Sequence, residues 1–248
     1  MVKGLDTFQK YFADYEEQYV LIGGAACDIL FESNEVNFRA TRDLDMVLIA
    51  EALTPEFGEK FWEFIVDGKY RNKATNGSNP QFYRFDKPED DEFPKMIELF
   101  CRSDFKLKNA KGITPIHIDD EVSSLSAILL NDDYYKALLN GKEVRNGLSV
   151  LRPEYIILFK AKAYLDLQKR KDSGEKLDSS DIKKHKKDVL RIASELMLEK
   201  VEELPIAVDA DIHSFIDLLE QEPFDQNSLK RYGLKNENVV ELLKRVFG

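Results

Sequence analysis

The run Tyr19-Val-Leu-Ile22 has the length of a strand, breaks at Gly23-Gly24 and passes at once into the helical pattern Ala25-Ala-Cys-Asp-Ile-Leu-Phe31. A strand, a tight turn and a helix are the natural way to fold it. Glycines at such a turn open backbone conformations closed to other residues and let the chain approach a ligand closely, while the helix amino end presents N–H groups to an anion. The turn is a phosphate cradle in outline. Next comes Arg39-Ala-Thr-Arg-Asp-Leu-Asp-Met-Val-Leu-Ile49, whose alternation marks a second strand. Asp43 and Asp45 stand two apart and so project to one face, with Leu44, Met46 and Leu48 on the other. Adjacent carboxylates favour a cation between them, and magnesium prefers carboxylate oxygen. A plainer reading stands beside this one, because Gly-Gly after an apolar run is often only a turn and Asp-x-Asp recurs by chance in an acidic chain. The order and closeness of the two elements favour a shared nucleotide site.

The chain of 248 residues fits one large or two modest domains, and 43% hydrophobic with 33% charged residues describes a globular protein rather than a disordered one. A formal charge of −10 argues against a surface that coats nucleic acid indiscriminately. Cys27 and Cys101 lie far apart without Cys-x-x-Cys spacing, which suggests neither zinc nor a disulfide framework. The amino terminus lacks the apolar core of a signal peptide, and no apolar run approaches spanning length. The expectation is a reduced, cytoplasmic protein with no membrane partner.

Leu5, Phe8, Phe12 and Tyr15 predict an amphipathic helix from Leu5 to about Gln18, acting as a lid or brace. Thr54-Pro55 predicts the start of a helix carrying Phe57, Phe61, Trp62, Ile65 and Val66, with Thr54 as N-cap and Gly68 at its end. The stripe Phe57, Phe61 and Trp62 reads as core rather than a base-stacking platform. Strands are expected at Pro80–Phe85 and Lys95–Cys101, joined by a solvated hairpin loop, and at Ile113–Ile118. Glu98 interrupts an otherwise apolar strand, so it is either a third carboxylate of the site or an outward-facing residue. Helices are expected at Val122–Leu130 and Tyr134–Leu139, with turns at Asn140-Gly141 and Asn146-Gly147 around a short strand near Val144. From Arg152-Pro153 onward the periodicity is helical: one helix with Ile156, Phe159, Lys160, Ala163 and Leu167 on a face, a second from Asp181 to about Lys200, and two more at Ile212–Glu220 and Glu237–Val246. These patterns predict an α+β chain, with a mixed-sheet domain at 1–150 and a helical domain at 151–248.

Taken together, Gly23-Gly24, then Arg39-x-Thr41-x-Asp43-x-Asp45, then an acid on a later strand resemble the polymerase-beta-like nucleotidyltransferase superfamily. Lys160-x-x-Ala163 and Lys184-His185-x-x-Asp188-Val189 narrow the resemblance to its AbiEii/AbiGii toxin branch, over roughly residues 15 to 200. The resemblance implies a nucleotide site in which Gly23 and Gly24 hold the triphosphate, flanked by Arg39 and Thr41. It implies that Asp43 and Asp45 bind Mg2+ or Mn2+, with Glu98 completing a second ion site. Lys160 would reach the phosphates, and Asp188 would orient it or contact the nucleotide. The implied reaction is transfer of a nucleoside monophosphate from a nucleoside triphosphate to an RNA, tRNA among the candidates, or to a protein, with an antitoxin as partner. Two departures are visible: Ala25 stands where many members have serine, and the third acid is Glu rather than the frequent Asp. Lys162 competes with Lys160 for the lysine role. Transfer to a small molecule, kinase-like phosphoryl transfer, and a catalytically silent nucleotide- or partner-binding protein are the alternatives.

Lys183-Lys184-His185-Lys186-Lys187, with Lys169-Arg170-Lys171 before it and Arg191 after it, is the strongest positive cluster. It reads either as a guide for a nucleic-acid acceptor or as a solvated helix face with pairs such as Lys184 to Asp188. His185 is expected to pack at the edge of the helical core.

Overall fold

A computed structural model describes residues 2–32, 43–72, 82–101, 128 and 131–248. The expected strand at 113–118, the helix at 122–130 apart from Ile128, and both Arg39 and Thr41 lie outside them. The fold is mixed α+β and divides into two compact units. One comprises Met1–Glu121 with Lys142–Leu151, the other Val122–Gly141 with Arg152–Gly248. A single boundary at 150 therefore simplifies the division: the helix at Asp132–Asn140 belongs with the helical unit, while the hairpin after it belongs with the sheet.

Among the described residues the first unit is built on a seven-stranded sheet. Its strands are β1 (Tyr19–Ile22), β2 (Asp43–Leu48), β3 (Arg71–Asn72), β4 (Phe82–Asp86), β5 (Met96–Cys101), β6 (Lys142–Arg145) and β7 (Leu148–Leu151), in the order β3-β4-β5-β2-β1-β7-β6. β2 runs parallel to β5 and β1 parallel to β7, while the other four pairings are antiparallel. Asn146 and Gly147 both take positive φ, 51° and 69°, which suits the two-residue hairpin between β6 and β7. β7 was not anticipated as a separate strand, because Leu148-Ser-Val-Leu151 is buried throughout and lacks alternation.

Alternation along the strands sorts the sheet into two faces. Leu44, Met46 and Leu48 of β2 share a face with Leu21, Ile97, Leu99 and Phe85, all buried. Two helices supply aromatic rings to that side: α1 (Leu5–Phe12) and α3 (Pro55–Asp67), through Phe8 and Phe12 against Tyr19 and Phe64, and Phe61 against Phe85. The helix α1 is shorter than its periodicity suggested. The chain turns after Phe12 and resumes as one 3-10 turn at Glu16–Gln18, so the amino-terminal segment is a brace on the sheet rather than a lid. Thr54 caps α3 as expected, its Oγ1 accepting from the Phe57 N–H at 3.3 Å with Pro55 in the first turn, and Gly68 closes the helix. Phe57 and Phe61 are fully buried core residues. The β4–β5 connection is a hairpin, closed by Lys87 N–H donating to Lys95 O at 3.1 Å; its acidic stretch 89–92 is exposed as expected, while Phe93 and Pro94 are buried and Tyr70 donates to Pro94 O at 2.5 Å.

The second unit contains α4 (Asp132–Asn140), α5 (Pro153–Asp172), α6 (Ser179–Glu195), α7 (Ile206–Gln221), α8 (Gln226–Arg231) and α9 (Asn236–Phe247). Pro153 occupies the first turn of α5, where its missing N–H costs nothing. The helix α6 ends at Glu195 rather than Lys200, and α7 begins at Ile206, six residues ahead of the expected Ile212. Val189, Ile192, Ala193 and Leu196 are buried, as their spacing required, and His185 is half-buried.

Candidate functional site

The sheet face opposite the aromatic brace carries the acids. Register pairs Ile22 with Asp45 across β1 and β2, and Asp45 with Glu98 across β2 and β5. Paired residues share a face, so Asp45 stands directly between the last residue before the glycine turn and Glu98, with Asp43 two residues away on the same side. Deeper on that face Val20, Val47 and Phe100 are buried, so the carboxylates gather at one end of an apolar surface. Asp43, Asp45 and Glu98 are all half-buried.

Gly23 and Gly24 do not form a separate loop, because α2 runs Gly23–Glu32 and the glycines are its first two residues. Gly23 takes φ +62, in the left-handed region. A Cβ built there would fall inside the van der Waals shell of Asp45 Oδ2 and lie 3.2 Å from Asp45 Cγ. The carboxylate of Asp45 thus rests on the bare Cα of Gly23, at the helix end where first-turn amides lack intrahelical acceptors. The sequence suggested that glycine was needed for a ligand; the structure adds that it is needed for Asp45.

Glu98 shares the face of Asp45, yet its carboxylate is engaged by Arg84. Arg84 Nε and Nη2 both donate to Glu98 Oε1, at 2.8 and 2.5 Å, and the two residues are in register across β4 and β5. Among the described residues no three Asp, Glu, His or Cys side chains come together in a group able to hold a metal ion. Mg2+ is commonly held through one or two carboxylates with the remaining positions filled by water and substrate phosphate. The oxygen donors of Asp43 and Asp45 fit one such cation; Glu98, as Arg84 holds it, does not fit a second. Arg84 is the residue that sequence reasoning missed. Its signal is a lone basic residue on one strand facing a lone acid on the next, but only the register reveals the pairing.

Within the helical unit Lys160 Nζ lies 2.9 Å from Asp188 Oδ2, joining α5 to α6, and the two side chains are 12% and 7% exposed. Lys162 is engaged elsewhere, 3.1 Å from both Asp166 and Asp211. Burial alone would lower the Lys162 pKa, but the hydrogen bonds it donates to the two aspartates outweigh burial and raise the value above the usual lysine range. The basic stretch on α6 is less of a surface than the sequence implied. Lys186 is half-buried, donates to Glu222 O and sits over the rings of Tyr164 and Phe224, and burial lowers its pKa. Lys183, Lys184 and Lys187 remain exposed. Asp28 on α2 and Glu154 on α5 are further buried acids that the sequence reading did not single out; Glu154 Oε1 accepts from the Glu199 N–H at 2.6 Å. Among the described residues no helix is long and apolar enough to cross a membrane.

No family model and no curated protein matches the sequence. A solved structure similar to this chain is that of an antigenic nucleotidyltransferase-like protein from Paracoccidioides brasiliensis, at 14% identity and a TM-score of 0.47, over 97% of this chain and 93% of that one. Likeness at that level leaves the case for function to this chain's own residues.

Proposed function

We propose that this protein is a metal-dependent nucleotidyltransferase that moves a nucleoside monophosphate from a nucleoside triphosphate to an RNA, tRNA among the candidates, or to a protein. The observation that carries the reading is the meeting of Asp45 with Gly23 on one side and Glu98 on the other, with Asp43 at the same end of the sheet. Asp43 and Asp45 would hold Mg2+ or Mn2+, which when bound lowers the pKa of the acceptor hydroxyl and neutralises charge on the reacting phosphate. The first-turn amides of α2, at Gly23 and Gly24, suit the triphosphate tail. Arg39 and Thr41 are assigned to the nucleotide by the nucleotidyltransferase-superfamily resemblance alone. The toxin-branch resemblance gives Lys160 the phosphate charge and Asp188 the task of orienting it, and their 2.9 Å pairing supports the second assignment. The protein's part is position and fixed compensating charge. The same resemblance supplies an antitoxin partner, and the cytoplasmic setting follows the cysteine usage of the sequence.

The Arg84–Glu98 pair favours a second reading, a catalytically silent nucleotide-binding protein, because it withdraws one of the three acids. Incubation with each labelled triphosphate, magnesium and total RNA separates the two. The transferase reading expects label on RNA with wild type and none above background with Asp45→Ala; equal signals from both end it. Nucleotide binding without transfer to RNA, protein or small-molecule acceptors establishes the silent reading.

A further inference from the structure

We infer that Arg84 is a built-in cation of the nucleotide site, held by Glu98 where a second metal ion would otherwise sit, so that the site takes one divalent ion rather than two. The inference rests on the reading of Asp43 and Asp45 as ion ligands. Three adjacent strands carry the relevant residues in register, Arg84 on β4, Glu98 on β5 and Asp45 on β2, all on one face. Strand spacing of about 4.8 Å puts the Arg84 and Asp45 backbones roughly 10 Å apart, with Glu98 between them. The guanidinium spends two donors on one oxygen, Glu98 Oε1, which fixes its plane and sets its charge beside the Glu98 carboxylate, one strand from Asp45. The Glu98 side chain that anchors it is 17% exposed and the Arg84 side chain 43%, so the pair spans from the edge of the site to solvent. An arginine is charged at every working pH and, unlike a metal ion, cannot dissociate. Glu98, in turn, is a positioning residue for Arg84 rather than an ion ligand.

The consequence is that positive charge at Arg84 opposes ion binding at its neighbours, since like charges at this range repel even through a high effective dielectric. Mn2+ titration followed by electron paramagnetic resonance reads this without any turnover. Wild type is expected to bind one Mn2+ per chain. Arg84→Met releases Glu98 as a ligand and should either admit a second Mn2+ or tighten the first by about tenfold, a change of about 1.4 kcal/mol. Arg84→Lys keeps the charge and should behave as wild type. If Arg84→Met fails to fold, as judged by its melting curve, Arg84→Gln removes the charge while keeping a hydrogen-bond donor for Glu98 and answers the same question. Two ions in wild type, or unchanged stoichiometry and affinity when the charge is removed, overturns the inference and leaves the transferase reading standing. Mn2+ binding that Asp45→Asn does not diminish overturns both.

Discussion

Lys160→Met is expected to lower the unfolding free energy by about 3–5 kcal/mol, the range seen when one partner of a buried ion pair is removed. The Lys160 ammonium lies 2.9 Å from an Asp188 carboxylate whose side chain is 7% exposed, so the substitution removes a close cation from a buried acid. Methionine keeps most of the lysine stem's volume, which confines the effect to charge. Converting the acid as well should recover much of the loss: Lys160→Met with Asp188→Leu places two apolar groups where two charges were, an exchange that is often neutral. Urea unfolding of wild type, both single variants and the double variant closes the cycle. A single-variant loss within about 1 kcal/mol of that of an exposed pair would mean that the two helices are not tied by this contact.

Gly23→Ala is expected to cost about 2–5 kcal/mol from two sources. Holding alanine at φ +62 costs about 1–2 kcal/mol, and the added methyl meets Asp45 Oδ2, an overpacking typically worth about 1–3 kcal/mol. The second part vanishes if the carboxylate is removed. In an Asp45→Ala background the same Gly23→Ala substitution should cost only the backbone part, so the cycle is non-additive by about 1–3 kcal/mol. Additive losses would show that the methyl is absorbed without moving Asp45. The functional corollary is that Gly23→Ala disturbs the ion site while leaving every charged residue in place.

Local structure was legible wherever short-range chemistry decides it. Thr54-Pro55 announced the start of α3, Asn146-Gly147 announced a turn, and Pro153 announced α5, because caps and turns act within three or four residues. The two aspartates and the glycines were likewise visible, since alternation and the strand–turn–helix pattern are local. Register was not. Nothing in the chain states that Asp45 faces Glu98, 53 positions later, or that Arg84 takes the Glu98 carboxylate, because pairing of distant strands is set by how whole apolar faces match. The assignment of α4 to the helical unit was hidden for the same reason: Asp132–Asn140 lies in the first 150 residues by sequence but packs with the later helices by composition of its buried face. Lys186 misled because a lysine in a charged run looks solvated, whereas its long stem reaches Tyr164 and Phe224. Arg39 and Thr41, which the motif made prominent, fall outside the described residues and stay expectations.

The central claim is that Asp43 and Asp45, set against the glycine turn, hold a divalent ion together with a nucleotide. Thermal melting with and without Mn2+ and a non-hydrolysable triphosphate tests it most directly. An ion complex present at a hundred times its dissociation constant stabilises the folded state by about 2.7 kcal/mol, which for a chain of this size shifts the melting temperature by about 5–10 °C. Wild type should show such a rise and Asp43→Asn less than half of it, whereas an equal rise in the two proteins would mean that the aspartates bind no ion.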